Sequence, residues 1–255
     1  MADKSSIEWT EATWNPTTGC DRITSGCDNC YALVLAKRLK AMGNAKYQVD
    51  GNAITSGPGF GVQMHETALA IPNTWTAPRT VFVNSMSDLF HAKVSDTFIH
   101  QVFEVMAATP RHTYQVLTKR PIRLSKLADK LPWPQNVWMG VSVEDMTQAW
   151  RVDRLREVPS AVRFVSAEPL LGSLSGLSLD AIDWLIVGGE SGPRHRPVNE
   201  TWVEELRDSC TDAEVAFFFK QWGGGLRRPM GASWTDASSV RCRWRNHAGV
   251  RPSLS

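Results

Sequence analysis

Short apolar runs alternate with helix-like segments over most of the chain. Six runs have the length and the β-branched or aromatic content of buried strands, and they cover residues 80–84, 112–118, 136–142, 162–166, 183–188 and 215–220. Helical spacing predicts helices at residues 31–42, around 98–106, and at 122–131, 146–157 and 201–210. Apolar strands separated by helices form parallel sheets covered by helices, so the pattern predicts an α/β protein.

Six β/α units are compatible with two architectures. One is a partial or complete (β/α) barrel of about six parallel strands, and the other is an open, doubly wound sheet. Residues 1–224 are predicted to form this domain, with a surface insertion at residues 44–78 and a C-terminal extension at residues 225–255. In either architecture the chemistry gathers at the carboxyl ends of the strands.

Polar residues follow each of the predicted strands. We expect them to share one rim, and the candidates for ligand binding among them are Ser85, Asp88, Lys119, Ser142, Glu144, Gly188, Gly189 and Glu190. Two of the strand ends repeat a serine followed two residues later by a carboxylate, at Ser142 and Glu144 and again at Ser166 and Glu168. Loop starts are commonly polar, but this repetition favours a shared binding site.

Composition narrows the function only slightly. A net charge of +2 on 255 residues neither demands nor excludes an anionic partner. The first residues do not resemble a leader peptide, and no apolar stretch has the length of a membrane span, so we expect a cytoplasmic protein without membrane contact.

Three of the five cysteines, Cys20, Cys27 and Cys30, lie within one short segment. A cytoplasmic chain rarely uses disulfides, so this clustering favours a metal site. Thiolates suit zinc or an iron–sulfur cluster. Zinc would need a fourth ligand, such as His91, Cys210 or Cys242, whereas a [4Fe–4S] cluster with one open iron needs only the three.

Several segments together resemble those of a known family. They are WNPTTGC (14–20), NSMSDLF (84–90), LTKR (117–120), GVSVE (140–144), SAEPL (166–170), GGESG (188–192) and FKQWG (219–223). This set resembles a phage-associated three-cysteine family that is itself similar to radical S-adenosylmethionine enzymes such as spore photoproduct lyase. The resemblance implies a partial β/α barrel with an N-terminal cluster loop, and it covers the chain to about residue 224.

The resemblance also implies cofactors and roles for the strand-end residues. It implies a [4Fe–4S] cluster on the three cysteines, with S-adenosylmethionine bound to it, an electron donor, and DNA, RNA or a nucleotide as substrate. By this analogy Asp88, at the strand end that also carries Ser85, would meet the cofactor's amino group. Ser142 and Glu144 would meet its ribose, and Lys119 or Arg120 its carboxylate or a substrate phosphate. Gly188, Gly189 and Glu190 would lie on the strand that contacts adenine. The alternative is a non-catalytic iron–sulfur or zinc protein that binds nucleic acid.

Overall fold

Seven parallel strands form the main sheet of the computed structural model, which describes residue 7 and residues 9–224. The predicted extension at residues 225–255, including Cys242, lies outside the described residues. The sheet contains β1 (Ala12–Thr13), β4 (Thr80–Val83), β5 (Thr113–Thr118), β6 (Val137–Ser142), β7 (Val162–Ala167), β8 (Trp184–Gly188) and β9 (Ala216–Gln221). A separate antiparallel pair joins β2 (Thr17–Thr18) to β3 (Gln63–Met64).

The strands of the main sheet lie side by side in the order in which they occur along the chain, from β1 through β4 to β9. A doubly wound sheet reverses direction at its centre, and this one does not. The sheet therefore curls into a half-barrel surrounded by helices. This confirms the predicted partial barrel, with seven strands instead of about six.

Six helices occur among the described residues, namely α1 (Tyr31–Ala41), α2 (Ile71–Thr74), α3 (Asp96–Ala108), α4 (Pro121–Leu127), α5 (Trp150–Arg156) and α6 (Glu200–Asp212). Two of the predicted helices are interrupted. Residues 122–131 form α4 and then a 3-10 turn, and residues 146–157 begin with a 3-10 turn in which the Asp145 side chain accepts a hydrogen bond from the Thr147 amide. No helix of the described part of the chain combines the length and apolar character of a membrane span.

The two faces of the sheet differ in character. The convex face packs aliphatic side chains such as Val116, Met139 and Val165 against the helices, and all three are fully buried. The concave face carries a cluster of large rings that includes Phe164 and Trp184. Trp9 closes this cluster, with its ring centroid 6.0 Å from that of Trp184. The aromatic layer therefore fills the lumen below the strand ends.

Candidate metal centre

A cavity of about 1120 Å³ opens above the aromatic layer, where the parallel strands end. Its walls include Cys20, Cys27 and Cys30 together with residues that follow six of the strands. The three cysteines have free thiols. The fold thus brings the predicted ligands to the rim at which a β/α barrel places its chemistry.

The cysteines lie on a loop between β2 and α1. The segment Ser25–Cys27 forms a 3-10 turn without a buried side chain, and Cys30 is the residue that precedes the first turn of α1. Burial raises the pKa of Cys20 to about 12, and the Cys27 and Cys30 thiols lie close enough to contribute to the shift. Burial also raises the pKa of Cys30. Metal binding at this site would therefore release protons.

Three soft thiolates are the usual protein donors to an iron–sulfur cluster, so the donor set fits that group. A single zinc ion would need a fourth ligand beside them. Within the described residues, no three His, Cys, Asp or Glu side chains are arranged to hold one metal ion. Of the fourth zinc ligands considered from the sequence, His91 bonds to Asp21 and Cys210 belongs to the hydrophobic core, whereas Cys242 lies outside the described residues.

The Cys20 end of the loop is tied to the barrel and to the insertion. The Arg120 side chain donates to the Asp21 carbonyl at 3.0 Å, and the Thr55 and Ser56 hydroxyls donate to the Asp21 carboxylate. Burial opposes ionisation of Asp21, but hydrogen bonds from Ser56, Thr55 and His91 outweigh it and lower its pKa to about 2. The insertion predicted at residues 44–78 therefore contacts the cysteine loop directly.

Asp88 lies on the cavity wall, but its carboxylate is surrounded by donors from the protein. It accepts hydrogen bonds from the Phe90 amide at 3.0 Å, the Thr118 hydroxyl at 2.7 Å, the Lys119 amide at 3.0 Å and the Arg120 guanidinium at 3.3 Å. The neighbouring Arg120 connects this carboxylate to the cysteine loop. Asp88 thus lines the cavity, but its carboxylate already accepts four hydrogen bonds from the protein.

Glu144 lies behind the cavity wall and is fully buried. Its carboxylate pairs with Lys119, with Arg151 at 2.9 Å, and with the Thr24 hydroxyl of the cysteine loop at 2.8 Å. Burial would raise the pKa of Glu144, but the charges of Lys119 and Arg151 outweigh it and hold the pKa below its usual value. Glu144 thus forms internal ion pairs with Lys119 and Arg151, and the cysteine loop is the third partner of its carboxylate.

Glu190 makes a similar connection from the end of β8. Its carboxylate pairs with Arg196 and accepts a hydrogen bond from the Asn29 side chain at 2.9 Å. The same arginine donates to the Ser25 carbonyl at 2.7 Å. Burial would raise the pKa of Glu190, but the hydrogen bonds from Arg196 and Asn29 outweigh it and lower the pKa.

The remaining predicted residues divide into those on the wall and those behind it. Ser85, Lys119, Ser142 and Gly189 line the cavity together with Asp88 and Glu190, whereas Gly188 does not. The Tyr31 hydroxyl donates to the Ser85 carbonyl at 2.6 Å. A side chain at Gly189 would place its Cβ 2.7 Å from the Trp222 backbone, so this glycine permits close packing of the strand end.

A second ion pair lies on the wall without touching the cysteine loop. Lys220 pairs with Glu168, and both side chains are 17% exposed. The Ser166 hydroxyl beside them is buried and has no hydrogen-bond partner among the described residues. Ser166, Glu168 and Lys220 all line the cavity. The repeated spacing of a serine and a carboxylate in the sequence indicated the first two of them.

Two residues of the site were missed in the sequence. Arg151 was counted as part of an ordinary helix, and Arg196 lies in a loop without regular structure. For Arg151 a signal did exist, because it lies one turn before Leu155 on the apolar side of its helix. A charged residue at such a position indicates a buried ion pair.

Comparison with solved structures found spore photoproduct lyase. Its complex with dinucleoside spore photoproduct shares 14% sequence identity, with a TM-score of 0.46, over 81% of this chain and 62% of that chain. A mutant of the same enzyme gives 12% identity, with a TM-score of 0.47, over 80% of this chain and 62% of that chain. The chain thus spans under two thirds of the length of these structures.

Comparison by sequence gave one family. No curated protein matches the chain. Residues 4–245 match the family model described as "Protein of unknown function (DUF5131)". The match covers nearly the whole chain, including the cysteine loop and every strand of the half-barrel, and the protein therefore belongs to the DUF5131 family.

Proposed function

We propose that this protein binds a [4Fe–4S] cluster through Cys20, Cys27 and Cys30 and is an enzyme of the radical S-adenosylmethionine type, acting on nucleic acid or a nucleotide. The observation that carries the proposal is the position of three free thiols in one cavity at the carboxyl ends of a parallel half-barrel. Three thiolates leave one iron of such a cluster open to a further ligand. A cluster of this kind, supplied with an electron by a donor, would reductively cleave S-adenosylmethionine to a 5′-deoxyadenosyl radical and methionine.

The protein's own part is to bind, orient and exclude water. Six of the predicted cofactor residues line the cavity, namely Ser85, Asp88, Lys119, Ser142, Gly189 and Glu190. We assign the cofactor to this wall and place it nearest to Ser142, whose hydroxyl takes part in none of the ion pairs of the wall. Both backbone groups of Gly189 already bond to Gln221. The aromatic layer below would keep water from the lumen.

The size of the cavity favours a second ligand beside the cofactor. Pockets that bind one drug-sized molecule measure about 300–1,000 Å³, and this cavity has about 1120 Å³. Lys46 lies on its wall, half-buried, and has no carboxylate partner within the described residues. A phosphate of a nucleotide substrate would satisfy this ammonium group.

Anaerobic reconstitution tests the proposal. We expect a brown protein with about four irons and four sulfides, as the cluster formula requires, that converts S-adenosylmethionine to 5′-deoxyadenosine in the presence of dithionite. Replacing Cys20, Cys27 and Cys30 with alanine should abolish the visible absorption. Cys210→Ala is the matched control, since this thiol is buried in the core, and should retain it.

Other outcomes contradict different parts of the proposal. A cluster that forms without cleaving the cofactor would support the alternative of a non-catalytic nucleic-acid-binding protein. One zinc ion per chain, with no iron or sulfide after anaerobic purification, would overturn both cluster assignments. Equal loss of absorption in Cys210→Ala would show that the ligand set is wrong.

A further inference from the structure

The carboxylate of Glu144 is an unusual group to find fully buried behind a cavity wall. Two cations, Lys119 and Arg151, compensate its charge, and the 1% exposure of the Arg151 side chain shows that this pair is shielded from water. Burying such a pair generally costs as much free energy as it returns. We therefore expect this ion pair to have a role other than stabilising the fold. The third partner of the Glu144 carboxylate indicates that role.

That third partner is the cysteine loop, which meets Glu144 at two points. The Thr24 hydroxyl donates to Glu144 Oε1 at 2.8 Å. A Cβ at Gly26 would lie 2.5 Å from the same oxygen, so the loop backbone rests directly on the carboxylate. Thr24 also lies beside Cys27, with its hydroxyl 3.8 Å from the sulfur.

Buried apolar side chains do not hold this part of the cysteine loop in place. The turn Ser25–Cys27 contains no buried side chain, so hydrophobic packing does not fix it. Its remaining attachment to the barrel in the described structure is the Ser25 carbonyl, which accepts from Arg196. The position of Cys27 therefore depends on polar contacts, and Glu144 makes the most deeply buried of them.

We propose that Glu144 is a positioning residue, which fixes Cys27 in the cavity by holding Thr24 and the turn that follows it. It acts on the metal site through the loop, because Thr24, Lys119 and Arg151 already bond to its carboxylate and its side chain does not line the cavity. Lys119 and Arg151 keep the carboxylate ionised and aimed at the loop. The proposal relies on the proposed function only in treating Cys27 as a metal ligand.

Hydrogen exchange in the metal-free protein tests the proposal without any cofactor. Thr24→Val removes the donor and keeps the shape. The amides of Cys27 and Asp28 donate to the Thr24 and Ser25 carbonyls, and we expect them to exchange about tenfold faster, the ratio that corresponds to one hydrogen bond to a charged group. Thr24→Ser keeps the hydroxyl and should restore slow exchange. Thr74→Val, which removes a hydroxyl contact to the Ile71 carbonyl far from the loop, is the matched control.

A second variant protects the test against misfolding. Glu144→Gln could unfold the chain by leaving two buried cations, whereas Gly26→Ala changes only the contact between loop and carboxylate. Gly26→Ala should speed exchange in the loop and raise the rate of iodoacetamide alkylation at Cys27 relative to Cys210, with an unchanged urea midpoint. Unchanged exchange in both Thr24→Val and Gly26→Ala would overturn the proposal.

Iron content and hydrogen exchange, measured together, distinguish a failure of this proposal from a failure of the proposed function. If the native protein binds no iron while Thr24→Val still loosens the loop, the metal assignment fails and the positioning role stands. If the native protein binds iron, and both Thr24→Val and Gly26→Ala retain its iron content and its slow exchange, the positioning role fails alone.

Discussion

The convex face of the sheet and the cysteine loop are held in place by different interactions. On the convex face, fully buried aliphatic and aromatic side chains pack against the helices, as Phe103 of α3 does against Phe90 and Trp133. Between Cys20 and Cys30, which pack against a small hydrophobic cluster, the loop instead is attached through side-chain hydrogen bonds to Glu144 and Glu190. Hydrophobic packing depends on volume and hardly on direction, whereas hydrogen bonds fix the orientation of the groups they join.

This difference implies that packing on the sheet stabilises the fold, whereas hydrogen bonds fix the position of the cysteine loop. Substitutions that change volume on the sheet should lower the free energy of unfolding and leave the loop in place. Substitutions that remove a polar contact of the loop should loosen the loop and leave the free energy of unfolding nearly unchanged. Four experiments test this division, from the largest expected effect to the smallest.

Phe103→Ala should have the largest effect. The ring is fully buried between sheet and helices, so its removal leaves a cavity and should lower the free energy of unfolding by about 3–5 kcal/mol. Urea denaturation followed by circular dichroism measures the change. Ile122→Ala, at a side chain that is 51% exposed on α4, is the control and should change the value by less than about 0.5 kcal/mol. Equal effects in the two variants would mean that the convex face is not the source of stability.

Gly140→Ala tests the concave face. A Cβ at this position would lie 2.6 Å from Cδ2 of the Phe164 ring, and overpacking of this kind costs about 1–3 kcal/mol. Thermal unfolding of Gly140→Ala and Gly188→Ala provides the comparison, because a Cβ at Gly188 would make ordinary contacts, the nearest at 3.4 Å to Lys220. A larger loss in Gly188→Ala would show that the aromatic layer adapts to the extra methyl group.

His112 should make the sheet region sensitive to pH. Its ring is fully buried, with Nε2 donating to the Pro72 carbonyl at 3.1 Å, and burial lowers its pKa below 6.5, assisted by the charges of Arg111 and Arg79. The unfolded chain takes up a proton near pH 6.5 before the folded chain does, so stability falls as the pH drops below this value.

The measurement for His112 is the urea midpoint of the native protein and of His112→Gln at pH values from 8 to 5. We expect the difference between the two proteins to shift in favour of the variant below pH 6.5. A constant difference over this range would mean that His112 takes up a proton equally in both states. The loop contacts of Thr24 should be the same in both proteins.

Asn29→Ala should have the smallest effect on global stability. The side chain donates to Glu190 at 2.9 Å in a partly buried contact and to the Arg194 carbonyl at 3.1 Å in an exposed one. We expect the free energy of unfolding to change by less than about 0.5 kcal/mol, while the amides of residues 28–30 exchange faster. If Asn29→Ala lowers stability as much as Gly140→Ala, the loop and the sheet unfold as one unit and the division fails.

The fold was largely predictable because its signals are local. Each of the six long strands is a continuous apolar run, and all six predicted runs match observed strands to within about two residues. None of the predicted runs includes the two-residue strands β1, β2 and β3, since a pair of residues has no periodicity. They exist through pairing with partners distant in sequence, as when Ala12 and Thr13 pair with Val81 and Phe82.

The candidate site was predictable only in part. The sequence indicated that the strand-end residues share a rim, and six of the eight candidates do line the cavity. It did not indicate that Glu144 and Glu190 pair with Arg151 and Arg196, because the choice of ion-pair partner depends on tertiary geometry. A carboxylate that would bind a ligand and one that anchors a loop have the same sequence signature.

The order of contacts along the chain has a consequence for biosynthesis. The cysteine loop is made first, but the groups that hold it follow much later, at Arg120, Glu144, Glu190 and Arg196. During synthesis the three thiols therefore leave the ribosome without their supports, and the loop can take its final shape only after most of the sheet has formed. If the protein binds the proposed cluster, loading at a preformed site would therefore be a late, post-translational event, and the nascent thiols would stay exposed to oxidation until then.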